Sequence, residues 1–131
     1  MRSPQEVWLR YRRTHRNPLR RLVRAWRVAD AWTRHNLGIA RALECTSQPA
    51  LLLDYRLLVT TDHEFRRLGR FLGQDLVDER RPDLYRNRAD RAPLFDAVAA
   101  IYRLIRGIGP YDVQRRLAAL RAASLEDRSA P

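Results

Sequence analysis

Apolar residues recur three or four positions apart through the first third of the chain. Leu22, Trp26, Ala29, Trp32, Ala40 and Leu43 share one helical face, with Asn36 in the same register. Arg20, Arg21, Arg24, Arg27, Arg34 and Arg41 mostly fall off that stripe. Pro18 suits a first helical turn, and Thr46-Ser47-Gln48-Pro49 interrupts the pattern. The spacing therefore predicts a helix from about Leu19 to Glu44. A different pattern follows. Ala50-Leu51-Leu52-Leu53-Asp54-Tyr55 is a continuous apolar run closed by Asp54 and Tyr55, not an alternating one. Such a run reads as a strand covered on both faces, as in a parallel sheet between helix layers. Val7-Trp8-Leu9 is a candidate second, weaker strand.

Thr61-Asp62-His63-Glu64 has the form of a capping box, with the Thr61 hydroxyl on the Glu64 amide and the Glu64 carboxylate reaching back. The helix it opens carries Phe65, Leu68 and Leu72 on one side and should stop at Gly73. Residues 74–93 are polar, contain Pro82 and Pro93, and read as a long loop. Leu94, Val98, Ile101, Tyr102 and Ile105 form an amphipathic helix stopped by Gly107. After Gly109-Pro110 a last helix turns Val113, Leu117 and Leu120 inward. Residues 124–131 read as a frayed tail.

These elements make one domain over residues 1–131, with 1–18 as a basic N-terminal segment. The expected fold class is α/β, mostly helical, with one or two parallel strands. A single strong strand has unpaired edges beside exposed leucines. The expectation therefore includes a second copy, a missing N-terminal half or another subunit to complete the sheet.

Charge adds a second theme. The formal net charge is +11, from 26 basic and 15 acidic residues, and every basic residue is Arg. Schiff-base lysine chemistry and a lysine-bearing P-loop are thereby excluded. Residues 1–44 hold eleven Arg against three acids, a net +8. Residues 45–131 hold fifteen against twelve, a net +3. The basic third calls for an anion: a phosphate ligand, a nucleic acid or an acidic partner chain. The lone Cys45 allows no internal disulfide, which fits a reducing, cytoplasmic setting. His15, His35 and His63 lie far apart without partners at ligand spacing, so no metal is expected. No apolar run approaches the roughly 20 residues of a membrane span. Met1–Arg10 is charged and lacks the apolar core of a signal peptide.

Three stretches carry a family likeness. Trp32-Thr33-Arg34-His35-Asn36 is followed by Pro49-Ala50-Leu51-Leu52-Leu53-Asp54-Tyr55-Arg56-Leu57-Leu58, and then by a helix ending in Phe71-Leu72-Gly73. In order and spacing this resembles the C-terminal half of the P-loop sulfotransferases, which use the sulfate donor PAPS. Asp83-Leu84-Tyr85-Arg86-Asn87-Arg88 resembles a basic segment that often follows in bacterial members. The likeness covers roughly residues 22–90. Upstream, Thr14-His15-Arg16-Asn17-Pro18 is similar to the family's His-Arg-Asp-Pro segment, whose Arg grips the 3′-phosphate of PAPS together with a Ser eight residues later. Here that later position is Arg24. The resemblance implies Arg16 as a phosphate ligand, with Arg86 and Arg88 approaching the nucleotide from a loop, and PAPS or PAP as the cofactor.

One family feature is missing. No segment has the Gly-rich loop that cradles the 5′-phosphosulfate with backbone amides. No catalytic base is assignable. The resemblance thus implies a sulfotransferase-like chain that is incomplete or inactive alone. Two other readings stand beside it. Eight Arg between Arg10 and Arg27, with Trp8, Tyr11 and Trp26 nearby, suit a nucleic-acid binder that grips phosphates and stacks bases. A structural subunit could instead dock its basic helix on an acidic partner. For Arg16, Arg86 and Arg88 the plain alternative is a solvated charged surface. For Trp26, Trp32 and Tyr55 it is a packing role, and for His35 and Asn36 a polar pair between helices.

Overall fold

A computed structural model describes residues 2–11, 16–84 and 92–126. The described residues are mostly helical and contain no strand. Among the described residues six α-helices succeed one another: α1 (Pro4–Tyr11), α2 (Pro18–Cys45), α3 (Tyr55–Thr60), α4 (Asp62–Leu72), α5 (Pro93–Arg106) and α6 (Pro110–Glu126). A 3-10 turn at Pro82–Leu84 interrupts the long segment after α4. The α/β expectation is corrected: this is an all-helical fold.

Both candidate strands fail for identifiable reasons. Val7-Trp8-Leu9 lies inside α1. The helix opens with a reciprocal cap. The Ser3 amide donates to Glu6 Oε2 at 2.9 Å, and the Glu6 amide donates to Ser3 Oγ at 3.2 Å. Trp8 and Leu9 are then buried against α2 and α5. Ser-Pro-Gln-Glu is a capping signature with Pro at the first helical position, and it decides this segment.

Residues 49–54 are irregular, and Tyr55 already belongs to α3. With no other strand among the described residues, Leu51–Leu53 has nothing to pair with. Side chains of α4 bond its backbone where a neighbouring strand would. Arg67 Nη1 donates to the Leu52 carbonyl at 3.1 Å. The Asp54 amide donates to Glu64 Oε1 at 3.1 Å. Asp54 Oδ1 in turn accepts the Leu57 amide at 3.0 Å and caps α3.

The 28-residue α2 is the axis of the fold. Its first half packs on α1 and α5, its second half on α6. One core joins Trp8, Leu9, Ala25, Ala29, Phe95, Val98 and Tyr102. Trp8 stacks on Phe95 with ring centroids 6.1 Å apart, and Trp26 meets Tyr102 at 5.0 Å. Alanines at 25 and 29 let α5 approach α2 closely while the aromatic rings fill the flanks. A second core joins Trp32, Ala40, Val113 and Leu117, with Leu43 and Leu120 partly buried beside it. Trp32 Nε1 donates to the Arg2 carbonyl at 3.2 Å and ties the chain start to the axis.

The helix ends follow the sequence where a glycine marks them. α4 stops at Gly73 (φ 65°) and α5 at Gly107 (φ 78°), both in the left-handed region that favours glycine. α2 runs to Cys45, as its periodicity predicts. The Thr61 capping box does not form. Thr61 makes no side-chain cap bond, and its hydroxyl donates back to the Leu57 carbonyl at 2.7 Å. The predicted α5 face is only half used: Val98 and Tyr102 are buried, but Ile101 and Ile105 are exposed.

Candidate functional site

The arginines separate into two sets. Among the described residues after Cys45, most are held by carboxylates. Glu64 is fully buried and accepts from both Arg67 and Arg121. Arg121 Nη2 lies 2.7 Å from Oε2 and Arg121 Nε 3.1 Å from Oε1, a bidentate pair. Arg67 Nη1 lies 3.3 Å from Oε1, and its Nη2 donates to Ser124 Oγ at 2.7 Å. The cluster binds α4, the 50–54 segment and α6 into one unit. Burial works to raise the Glu64 pKa. The Arg121 and Asp54 hydrogen bonds and the two guanidinium charges outweigh burial and hold it below the ordinary value.

Arg80 is a second clamp. It pairs with Asp78 at 2.5 Å and Asp62 at 2.7 Å, and donates to the Leu58 and Thr61 carbonyls at 3.1 and 2.6 Å. Its guanidinium lies over the Phe65 ring, 4.4 Å from the centroid. Hydrogen bonds from the Arg80 side chain and amide push the Asp78 pKa down to about 2. Further along, Arg103 and Arg115 pair with Asp112, and Arg116 Nε pairs with Glu44 at 2.6 Å. These arginines are spoken for by the fold.

The first half of α2 differs. Arg20 and Arg27 are exposed, and neither they nor Arg10, Arg16 and Arg21 make an ion pair among the described residues. Arg34 pairs with Asp30. The Nε of Arg21 is shielded from solvent without an acceptor. At 3.6 residues per turn Arg20, Arg24, Arg27, Ala31 and His35 fall on one stripe, on the side of α2 away from Ala25, Ala29 and Ala40.

An open groove of about 930 Å³ runs along this stripe. Leu19, Val23, Val28 and Trp32 of α2 and Val7 of α1 supply its apolar lining, and Asn36 closes its far end. Leu19 is 71% exposed and Val23 53%. Nothing in the sequence periodicity assigns these two side chains to the core stripe, and α2 has more apolar positions than one face requires. That surplus was the available signal for the groove. The Glu64 cluster gave a weaker signal, an i,i+3 Glu-Arg pair. Its third member, Arg121, comes from 57 residues away.

Of the residues expected at a nucleotide site, Arg16 is exposed and directly precedes Asn17, the N-cap of α2. Asn17 Oδ1 accepts the Leu19 amide at 2.9 Å and the Arg20 amide at 3.4 Å. Two of the first-turn amides are therefore used internally, and an anion here would be held by guanidinium groups. Arg86 and Arg88 lie outside the described residues. These surroundings fit one phosphate group. They do not fit a whole phosphosulfate donor, since the sequence offers no Gly-rich loop to cradle it.

Trp8, expected as a stacking platform in the nucleic-acid reading, is 2% exposed and packed on Phe95, so it is closed to a base. The side chain of Tyr11 lies outside the described residues. Trp32 is buried and Trp26 half-buried, both in packing roles. Asn36 Nδ2 donates to the Trp32 carbonyl at 2.9 Å within the helix, and His35 is exposed on the groove. Tyr55 does not end a strand. It opens α3, with the Arg2 guanidinium 4.3 Å from its ring centroid. Cys45 is exposed. Among the described residues, no helix is long and apolar enough to cross a membrane. No protein-family model, no curated protein and no solved structure matches the chain.

Proposed function

We propose that this chain is a sulfotransferase-related helical unit that contributes a cationic contact for a nucleotide phosphate and does not transfer sulfate by itself. The reading is carried by one observation: the order of the motif residues along the chain. A long helix holds Trp32 and Asn36 one turn apart. A non-helical segment, Leu51–Leu53, follows and leads into Asp54 and Tyr55. A helix closing on Phe71-Leu72-Gly73 comes next. The reading does not rest on a sheet, which the described residues lack. The exposed Arg16, without an ion pair among the described residues, is consistent with the phosphate role. The donor's reactive end has no cradle in this sequence, and sulfuryl transfer depends on positioned charge stabilisation.

Thermal unfolding of the full chain with PAP tests this. A ligand at one hundred times its dissociation constant stabilises the folded state by about 2.7 kcal/mol. PAP should raise the melting temperature of the wild-type chain, and Arg16→Ala should abolish the rise. No rise for the wild type would end the reading, and an unchanged rise in Arg16→Ala would remove Arg16 from the site. Sulfate transfer from PAPS by the purified chain would overturn its second half.

A nucleic-acid role is less well supported. Its arginines are present, but Trp8 is buried and the groove between the arginines is flanked by aliphatic side chains. Oligonucleotide affinity falling steeply with salt would restore it.

A further inference from the structure

We infer that α5 is the contact of a weak homodimer, in which two copies pair their α5 helices antiparallel through an apolar stripe that the fold leaves uncovered. This goes beyond the nucleotide reading and involves no shared sheet.

α5 is apolar on two sides. Phe95, Val98, Ala99 and Tyr102 are buried in the core shared with α1 and α2. At 3.6 residues per turn Ala97, Ala100, Ile101, Leu104 and Ile105 fall together on the other side. All five are exposed. Ile101 is 51% exposed, Leu104 85% and Ile105 65%. A helix whose second side met only water would carry polar residues there.

The stripe is graded in size. Alanines occupy its first half, and isoleucine and leucine its second. A parallel copy would set Leu104 against Leu104 and Ala97 against Ala97, crowding one end and leaving a gap at the other. An antiparallel copy, with the two-fold axis between positions 100 and 101, sets large against small. Leu104 then lies over Ala97 of the second copy, and Ile101 over its Ala100. Each contact occurs twice, as a two-fold interface requires. The alanines allow close approach and the larger side chains fill the space.

Direction is favoured by charge as well. Asp96 stands in the first turn of α5, and Arg103 and Arg106 stand in the last. Antiparallel pairing brings opposite signs, and opposite ends of the helix dipoles, to each end of the contact. Asp96 and Arg103 already bond to Tyr111 and Asp112, so these charges set direction and add little affinity.

The area fits a weak dimer. At roughly 30 Å² per methylene, Ile101, Leu104 and Ile105 expose on the order of 300 Å² of apolar surface. Two such faces with their alanines stay below the roughly 1,200 Å² above which stable complexes begin. The association is therefore concentration-dependent.

Sedimentation velocity of the full chain, over a dilution series from about 1 mM downward, tests this. The weight-average mass should move from dimer to monomer as the chain is diluted. Leu104→Asp should weaken the dimer by at least about tenfold, a difference of about 1.4 kcal/mol. Val77→Asp, at a position 83% exposed outside α5, should leave it unchanged. Both positions face solvent, so the variants should fold, which circular dichroism checks. Ala97→Leu should weaken the dimer by crowding Leu104 of the second copy, and Ala97→Leu/Leu104→Ala should recover it. Added salt should tighten the dimer or leave it unchanged, because it screens the repulsion between two chains of net charge +11.

A chain that stays monomeric at the top of the series would overturn the inference and leave the stripe to a different protein. A dimer unaffected by Leu104→Asp forms elsewhere and would overturn it too. No recovery in the double variant would refute the antiparallel register, and dissociation by salt would mark an association by charge. PAP stabilisation through Arg16 is read at dilutions where the chain is monomeric, so either proposal can fail while the other holds.

Discussion

The same side chain is used in two opposite ways in this molecule. Around Glu64 and at Arg80, arginine is internal structure. Its guanidinium is shielded and directed at carboxylates and carbonyls from segments that lie far apart in sequence. Along the first half of α2, Arg20 and Arg27 face solvent beside the exposed Leu19 and Val23, without a carboxylate among the described residues. The difference is one of supply. Twelve of the fifteen acids lie after residue 44, and the other three, Glu6, Asp30 and Glu44, are engaged by Ser3, Tyr102 and Arg116 among others. Arginine without a carboxylate in reach remains a charge offered outward. The comparison teaches that net charge alone does not locate a binding surface. What locates it is the charge left over after internal pairing.

Breaking the internal set should have the largest effect. Glu64→Gln leaves Arg67 and Arg121 facing a neutral group in a shielded site. Removing one partner of a buried ion cluster costs about 3 kcal/mol. Urea unfolding should show that loss, together with easier cleavage of the 50–54 segment by protease. A change under about 0.5 kcal/mol would mean the cluster is ornamental.

Acid should reach the same cluster by another route. The folded Glu64 pKa lies below its ordinary value of 4.5, so the unfolded chain binds the proton more readily. The stabilisation is therefore complete above about pH 4.5 and is lost as pH falls through the folded value. Asp78 acts in the same direction between its ordinary 3.8 and about 2. The unfolding midpoint should fall steadily on acidification below about pH 4.5, and Glu64→Gln should flatten that fall. An identical slope in the variant would place the pH dependence elsewhere.

A smaller effect is expected where the two regions meet. The Tyr102 hydroxyl donates to Asp30 Oδ1 at 2.9 Å, and Asp30 also holds Arg34. Desolvation raises the Tyr102 pKa, and the Asp30 hydrogen bond raises it further. Tyr102→Phe removes one hydrogen bond and should cost about 1 kcal/mol in urea unfolding. It also leaves Asp30 freer to pair along α2, which sharpens the role of acid supply.

Legibility in the sequence followed the range of the interactions. α2, α4, α5 and α6 were readable because periodicity and the stops at Gly73 and Gly107 are local signals. The two strand expectations failed because an apolar run has no inherent period. Leu51–Leu53 needed a partner strand to become one, and its backbone met Arg67 and Glu64 instead. Val7–Leu9 was decided by the cap at Ser3 and Glu6, a signal that was present in the sequence. The cap expected at Thr61 failed because Glu64 is drawn inward by Arg121, and no local pattern shows that. At the candidate site the arginine excess was visible, but its division into paired and unpaired sets depends on tertiary contacts.

The central claim is that Arg20 and Arg27, exposed on α2, are not used by the fold. Its most direct test is urea unfolding of Arg20→Glu/Arg27→Glu beside the wild type. Exposed positions without partners should change stability by no more than about 0.5 kcal/mol each. Reversing two charges in a chain of net charge +11 also relieves self-repulsion. The account therefore predicts an unfolding midpoint equal to that of the wild type or above it. A fall comparable to that of Glu64→Gln would contradict it, because these arginines would then belong to the structure.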